Sequence, residues 1–344
     1  MGFKIKFMNN FSQKIISWYD ANGRKNLPWQ KEDPYKVWIS EVMLQQTQVS
    51  TVIPYFNKFI SCFPKIDDLA VASLDEILSI WSGLGYYTRA KNIHKTAIIL
   101  REDFDSKLPN NFEDLVALPG IGFSTAGAIL SLGFKKPGVI LDGNVKRVLL
   151  RMSGNKSPMN EYKTEKSLKE FAQILLPNAN FKKYSQGLMD LGATICKPQN
   201  PDCEKCPIVI DCKANDKNIQ NFIPLKSIRK KRKEKKIDWV LIKTENKVLL
   251  MRNKESGIWQ NLWLLPNKDH FTSKNISRLN PIKSNFPSFK HQLSHKDLSI
   301  SVKIYTIKNK DRLPIDRTSF HWVNISDSVN MGVPKPVKEI LNKI

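Results

Sequence analysis

The sequence is short of acids, of cysteines, of glycines and of long apolar runs, and each shortage excludes something. Its 344 residues hold 32 Asp and Glu against 55 Lys and Arg, a net charge of +23. Such an excess points to a polyanionic partner, because neutralising phosphates releases condensed counterions and drives binding. The bland alternative is a lysine-rich surface set by genome composition. Fifteen glycines exclude collagen-like and low-complexity architectures. No apolar run approaches the roughly 18 residues that span a bilayer, and the opening Met1-Gly2-Phe3-Lys4-Ile5-Lys6 lacks the apolar core of a secretory signal. With only five cysteines, an odd number, and no such signal, the chain reads as the product of a reducing compartment without a disulfide framework.

What is present is enough for packed cores: 41% apolar and 10% aromatic residues exclude a wholly disordered chain. The length suggests two domains of roughly 150 residues each. From Phe11 to about Asn215 the pattern is helical, with Ser73-Leu74-Asp75-Glu76 a capping box and Asn111-Phe112-Glu113-Asp114 a second helix start. The character changes near residue 215. Lys226 to Lys236 contains eight basic residues and reads as a solvated linker able to touch phosphates. Beyond it, Trp239–Ile242 and Val248–Met251 flank a polar turn and predict a β-hairpin. Leu298, Ile300, Val302 and Ile304 alternate as a half-buried strand, and Val337, Ile340, Leu341 and Ile344 recur at helical spacing. The expected organisation is an α-helical region over 1–215, a basic linker over 216–236 and a small α+β domain over 237–344.

Four of the cysteines fall together as Cys196-x6-Cys203-x2-Cys206-x5-Cys212. Four thiolates in short loops can hold tetrahedral zinc or an iron–sulfur cluster. One close pair with longer flanking gaps fits the larger cubane better than the two close pairs usual for zinc. A second motif, Leu118-Pro119-Gly120-Ile121-Gly122, reads as the tight turn of a helix–hairpin–helix, whose glycines let backbone N–H groups approach a phosphate. The alternative is an ordinary interhelical turn. A third, Val139-Ile140-Leu141-Asp142-Gly143-Asn144, ends an apolar run at an Asp that could be a plain helix N-cap. In a fourth, Trp38, Glu41, Val42 and Gln45 share a helix face. A carboxylate in such a stripe has a raised pKa and can serve as a general acid, or it can be a glutamate at the stripe's edge.

Taken together, these residues resemble the adenine DNA glycosylase (MutY) family of helix–hairpin–helix glycosylases. The matching pieces include Leu27-Pro28-Trp29, Ser40-Glu41-Val42-Met43-Leu44-Gln45-Gln46-Thr47, Gly83-Leu84-Gly85-Tyr86-Tyr87, the Gly120–Gly122 turn, Leu141-Asp142-Gly143-Asn144-Val145-Lys146-Arg147, Met189-Asp190-Leu191-Gly192-Ala193 and the four cysteines, in family order. The resemblance implies one 4Fe–4S cluster on Cys196, Cys203, Cys206 and Cys212. It implies that Glu41 protonates adenine at N7, that Asp142 stays ionised and stabilises the oxocarbenium sugar, and that Asn144 orients Asp142 and the water. The adenine must leave the duplex first, with Gln46, Leu84 and Tyr86 filling the vacated space. Gly120 and Gly122 would contact DNA, and Ser294 and His295 of His291-Gln292-Leu293-Ser294-His295 would read 8-oxoguanine, with Leu293 in place of the family's usual Phe.

Endonuclease III-like relatives carry a lysine nucleophile where this chain has Ser124, and a hydroxyl cannot form a Schiff base with the sugar. The resemblance therefore implies a monofunctional enzyme acting on adenine opposite 8-oxoguanine or G in double-stranded DNA. It further implies a monomer in the bacterial cytoplasm, held at the nucleoid by DNA, with repair or replication proteins as further partners. Three other readings compete: an endonuclease III-like glycosylase/lyase, a non-catalytic DNA-structure binder, and a Nudix pyrophosphohydrolase in the second domain. Asn253 to Phe289 lacks the clustered Arg-Glu and Glu-Glu helix that the last would need, so the expectation there is a Nudix-like fold without hydrolysis.

Overall fold

The computed structural model describes residues 2–30, 33–225, 232–272, 276, 279–282, 286–308, 313, 316, 318–328 and 330–344. It divides into two compact units, one of residues 1–71 with 92–228, the other of 72–91 with 229–344.

The first unit is helical. It contains α1 (Gly2–Asn22), α2 (Pro34–Leu44), α3 (Val49–Cys62), α4 (Ile66–Val71), most of α6 (Thr88–Asp103), α7 (Phe112–Ala117), α8 (Phe123–Ala128), α9 (Gly143–Ser153), α10 (Tyr162–Ile174) and α11 (Phe181–Thr194). Helix α2 starts where Asp33 accepts the N–H of Tyr35 at 3.0 Å, with Pro34 supplying a φ already suited to a first turn. It buries Trp38, Ile39, Val42 and Met43. A separate core joins Phe11 and Ile15 of α1 to Val145, Val148 and Leu149 of α9 and to Leu188 and Leu191 of α11. Asp190, fully buried on α11, accepts from the Arg24 guanidinium at 2.6 Å and from its backbone N–H at 2.8 Å. That pair ties the chain leaving α1 to α11. Helix α8 runs on into a π-helical turn, Ile129–Gly133.

Among its described residues, the second unit is a seven-stranded sheet with helices. Its strands are β1 (Lys233–Lys243), β2 (Lys247–Arg252), β3 (Trp263–Leu264), β4 (Asn280–Ile282), β5 (Phe289–Gln292), β6 (Lys296–Thr306) and β7 (Phe320–Asn324). The order is β3-β2-β1-β6-β4, with β5 also on β6 and β7 on β2. The expected hairpin is β1–β2, in register at Lys243 and Val248. The alternating strand is β6, parallel to β1 from Lys233–Lys296 to Lys243–Thr306, and Leu298, Ile300, Val302 and Ile304 all face inward. Residues 226–231 of the basic run lie outside the described residues, while Lys233–Lys236 form the exposed start of β1. The C-terminal helix, Lys335–Leu341, buries Val337, Ile340 and Leu341 and stops short of Ile344.

Helix α5 (Leu74–Trp81) belongs to this second unit. Its capping box is formed in full, with the Ser73 hydroxyl accepting from Glu76 N–H at 3.2 Å and the Glu76 carboxylate accepting from Ser73 N–H at 2.7 Å. The Ser82 and Tyr87 hydroxyls both donate to the carbonyl of Val333, at 2.8 and 3.1 Å, and Asp75 pairs with Arg252. Among the described residues no helix is long and apolar enough to cross a membrane.

Candidate active site

Helix α8 is the bed of the site. Gly127 lies so close to the extended segment before α9 that a Cβ there would stand 1.9 Å from the carbonyl oxygen of Val139. One turn earlier, the Ser124 hydroxyl accepts the N–H of Leu141 at 3.1 Å. The apolar run Val139–Leu141 is buried by this packing and ends at Asp142. Asp142 caps α9, accepting from Val145 N–H at 2.7 Å, and the Asn144 amide donates to its other oxygen at 3.4 Å. The cap reading therefore holds for this side chain.

Glu41 comes to the same place from α2. Burial, and after it the charge of Asp142, pushes its carboxyl up to about 8. Burial also raises Asp142, but the N–H groups of Val145 and Asn144, the Asn144 amide and the Arg147 guanidinium all pull it back. Two carboxyls that feel one another thus sit in unlike surroundings. Burial works against ionisation at both. At Glu41 the charge of Asp142 adds to it. At Asp142 three hydrogen-bond donors and a cation oppose it, and the carboxyl still stays above the ordinary carboxylate range.

Arg147 links this pair to the cysteine loop. Its guanidinium donates to Asn144 Oδ1 at 2.9 Å, to the Gly192 carbonyl at 2.7 Å and to the Cys196 carbonyl at 2.8 Å. Arg151, one turn on and almost fully buried, donates to the carbonyls of Lys197, Pro198 and Ile223 and to Cys196 Sγ at 3.3 Å. Cys196, Cys203, Cys206 and Cys212 all line one cavity and are unbridged. Burial pushes the Cys206 thiol up to about 12 and raises Cys203 and Cys212 as well, so these sulfurs become thiolates only if a cation displaces their protons. Four unbridged sulfurs around one cavity, with a buried arginine donating to one of them, fit an inorganic cluster. Among the described residues, no three such side chains converge closely enough for a single metal ion.

A family model described as HhH-GPD superfamily base excision DNA repair protein matches residues 39–174, and a NUDIX domain model matches 238–343. The chain is 44% identical to the adenine DNA glycosylase of Buchnera aphidicola subsp. Schizaphis graminum, over 96% of this chain and 97% of that one. The chain belongs to the adenine DNA glycosylase family. The Homo sapiens adenine DNA glycosylase is 40% identical over 60% of this chain and 40% of its own length. A thermostable thymine-DNA glycosylase has a TM-score of 0.57 at 29% identity, covering 62% of this chain and 98% of that one. An endonuclease III in a non-covalent DNA complex, at 21% identity and TM-score 0.53 over 64% of this chain and 99% of that one, shares the fold.

The remaining residues that match family motifs fall in two places. In the first unit, Gln46 lies exposed between α2 and α3 with φ +57. Gly120 has φ +80, a conformation that a Cβ would strain, and that Cβ would also stand 2.7 Å from Asn92 Cβ. The space above Gly122, which caps α8, is open. In the second unit, Leu84 is buried and Tyr86 exposed with φ +50. Arg89 stacks on the rings of Trp81 and Tyr86, 5.4 and 5.3 Å from their centroids, and donates to the Gly85 carbonyl at 3.1 Å. Ser294 and His295 sit exposed in the β5–β6 hairpin, which closes through Leu293 N–H to the Lys296 carbonyl at 2.8 Å. Tyr86, Ser294 and His295 line a single cavity of this unit, and Leu84 does not. Sequence reasoning gave no role to Arg147 or Arg151. The available signal was their spacing: on α9 they follow Asn144 at i+3 and i+7, on one face.

Proposed function

We propose that this protein hydrolyses the N-glycosidic bond of adenine mispaired with 8-oxoguanine or G in duplex DNA. The observation that carries the proposal is the unlike pair Glu41 and Asp142. A carboxyl held neutral to about pH 8 has a proton to donate at physiological pH. Burial raises the neighbouring Asp142 as well, and the three donors and the cation beside it are what oppose that rise and favour its anion against an oxocarbenium sugar. Glu41 protonates the flipped adenine at N7 and makes it a leaving group. Asp142 faces the positive charge that develops on the sugar. Asn144, fixed between Asp142 and Arg147, orients Asp142 and the attacking water.

Ser124 stands where a lyase would carry lysine, and its hydroxyl is engaged with Leu141. The enzyme is monofunctional on this reading, leaving an abasic site and an intact strand. The Gly120–Gly122 turn takes a phosphate, an approach that the open space over Gly122 supports. Gln46, Leu84 and Tyr86 fill the gap left by the flipped base, and Ser294 and His295 read the opposite lesion. Cys196, Cys203, Cys206 and Cys212 hold one 4Fe–4S cluster, which supplies a rigid support for the basic loop around Lys197 and Lys205. The enzyme works as a monomer on cytoplasmic, nucleoid-bound DNA, and the close bacterial relative supports that setting.

A glycosylase assay on duplexes with A opposite 8-oxoguanine, G or T tests the proposal. Base loss is expected on the first two, with strand cleavage only after alkali. Release of a pyrimidine, or nicking without alkali, overturns it.

A further inference from the structure

The cavity around the four grouped cysteines has an apolar wall of side chains such as Val148, Leu191 and Ile208, with few polar groups set into it. Among the described residues that line it, the polar side chains other than the cysteines are Arg151, Asp202, Asn215 and Gln220. Arg151 is engaged with three carbonyls and with Cys196 Sγ. Asp202 is paired with Lys205 at 2.9 Å. Gln220 differs: its Oε1 is buried and meets no hydrogen-bond donor among the described residues.

A short, well-fixed segment brings Gln220 to this wall. Cys212 stands at the start of helix α12 (Lys213–Asp216), and its carbonyl accepts from the N–H groups of Asn215 and Asp216 at 3.1 and 3.0 Å. Ile219 N–H then closes on the Ala214 carbonyl at 2.8 Å, and Gln220 opens one tight helical turn, Gln220–Phe222. Beyond that turn, the carbonyl of the buried Ile223 accepts from Arg151 Nε at 2.9 Å. The residues on both sides of Gln220 are thus pinned. One is held to the helix that starts at the last cysteine, the other to the arginine that donates to the first.

A buried amide oxygen without a donor is costly, because the group has given up water and gained no partner. The sulfurs of an iron–sulfur cluster are acceptors within a negatively charged group, so what they call for is N–H. The two ends of a glutamine amide are nearly equal in size, and a half-turn exchanges them within the same space. That half-turn puts the NH2 toward the sulfurs, and the partial exposure of Gln220 lets its oxygen meet water. We propose that Gln220 donates from Nε2 to a sulfur of the 4Fe–4S cluster, as a second donor beside Arg151, and stabilises the cluster's more reduced state. A donor to sulfur favours the form with more negative charge, so its removal lowers the reduction potential. The proposal rests on the cluster assigned above to Cys196, Cys203, Cys206 and Cys212.

The test uses the full chain purified with its cluster. Gln220→Met keeps the length of the side chain and removes the amide. At full iron and sulfide content, it should lower the ratio of reduced to oxidised cluster at a fixed electrode potential about tenfold. That is the size of one net hydrogen bond, and it equals about 59 mV for one electron. A second measurement needs no variant. The parent protein is prepared with nitrogen-15 only in its glutamine side-chain amides, and its cluster is brought to an odd-electron state at an electrode. Pulsed EPR should then show a nitrogen-15 coupling, since Gln220 is the one glutamine among the described residues lining the cavity. The coupling together with the lowered potential upholds the proposal. Where Gln220→Met fails to keep its cluster, the presence or absence of the coupling in the parent decides. An unchanged potential at full iron content, or no coupling in the parent, overturns the role of Gln220 and leaves the cluster standing. Stoichiometric zinc without sulfide overturns the cluster and the proposal with it.

Discussion

The hydroxyl of Ser124 accepts the N–H of Leu141 at 3.1 Å, and Leu141 is the residue immediately before Asp142. Ser124 is therefore a fixing point for the segment that ends at Asp142.

Ser124→Ala removes that acceptor and leaves the Leu141 N–H without it, a loss of about 1–3 kcal/mol if the group stays buried. Single-turnover base release should fall while duplex binding holds, and Ser124→Thr should restore much of the rate. Ser124→Lys loses the same contact but places an amine at the lyase position, so weak strand nicking with a borohydride-trapped adduct is expected. No adduct after long incubation would count against that geometry.

Glu41→Gln and Asp142→Asn should each abolish adenine release and spare duplex affinity. Loss of a general acid alone is about 10²–10⁴-fold. A Gln variant with near-normal rate would mean that another group is the acid.

The pH dependence has a definite sign. Glu41 must be protonated, so the rate should fall as pH rises through about 8, and this limb should vanish in Glu41→Gln. On the acid side the rate should fall as Asp142 takes up its proton. Stability follows the same linkage: the folded state holds the Glu41 proton more tightly than the unfolded chain, whose glutamate ionises near its ordinary 4.5. That contribution is complete below about 4.5 and is lost as pH rises to about 8. Glu41→Gln should accordingly raise Tm relative to the parent at pH 8 and do so much less at pH 5. Equal shifts at both pH values would contradict the raised pKa.

Arg147→Gln cuts the connections from Asn144 to the carbonyls of Gly192 and Cys196. Base release should drop, and iron per chain should fall with it, because one side chain serves both places. A variant with full iron content and a full rate would separate the two.

The protein purified without oxidation should be yellow-brown, with about four irons per chain and acid-labile sulfide. Stoichiometric zinc without sulfide would exclude the cluster. Ser294→Ala with His295→Ala should lower the preference for A opposite 8-oxoguanine over A opposite G, by roughly 0.5–3 kcal/mol, while single-turnover chemistry on bound substrate survives.

Much of this protein was legible from local pattern. The Ser73–Glu76 capping box, the Asn111 helix start, the β1–β2 hairpin and the alternation of β6 depend on residues a few positions apart, and all four are present in the structure. The motifs around Glu41, Asp142 and the four cysteines were visible as residue types at fixed spacings. Tertiary structure decided what distant residues do to one another. A burial-raised Glu41 requires α2 to meet the cap of α9, and the anchorage of Asp142 requires Gly127 and Ser124 to lie under a segment 12 or more residues further along. The same holds for α5, which reads as one more helix of an α-helical stretch yet groups with the C-terminal unit. Its partners are a carbonyl at Val333 and a guanidinium at Arg252, some 250 and 177 positions away. Side-chain periodicity states which face of a helix is apolar; it does not state which distant surface will cover that face, because many surfaces have the same composition and only one has the matching shape and hydrogen-bond partners.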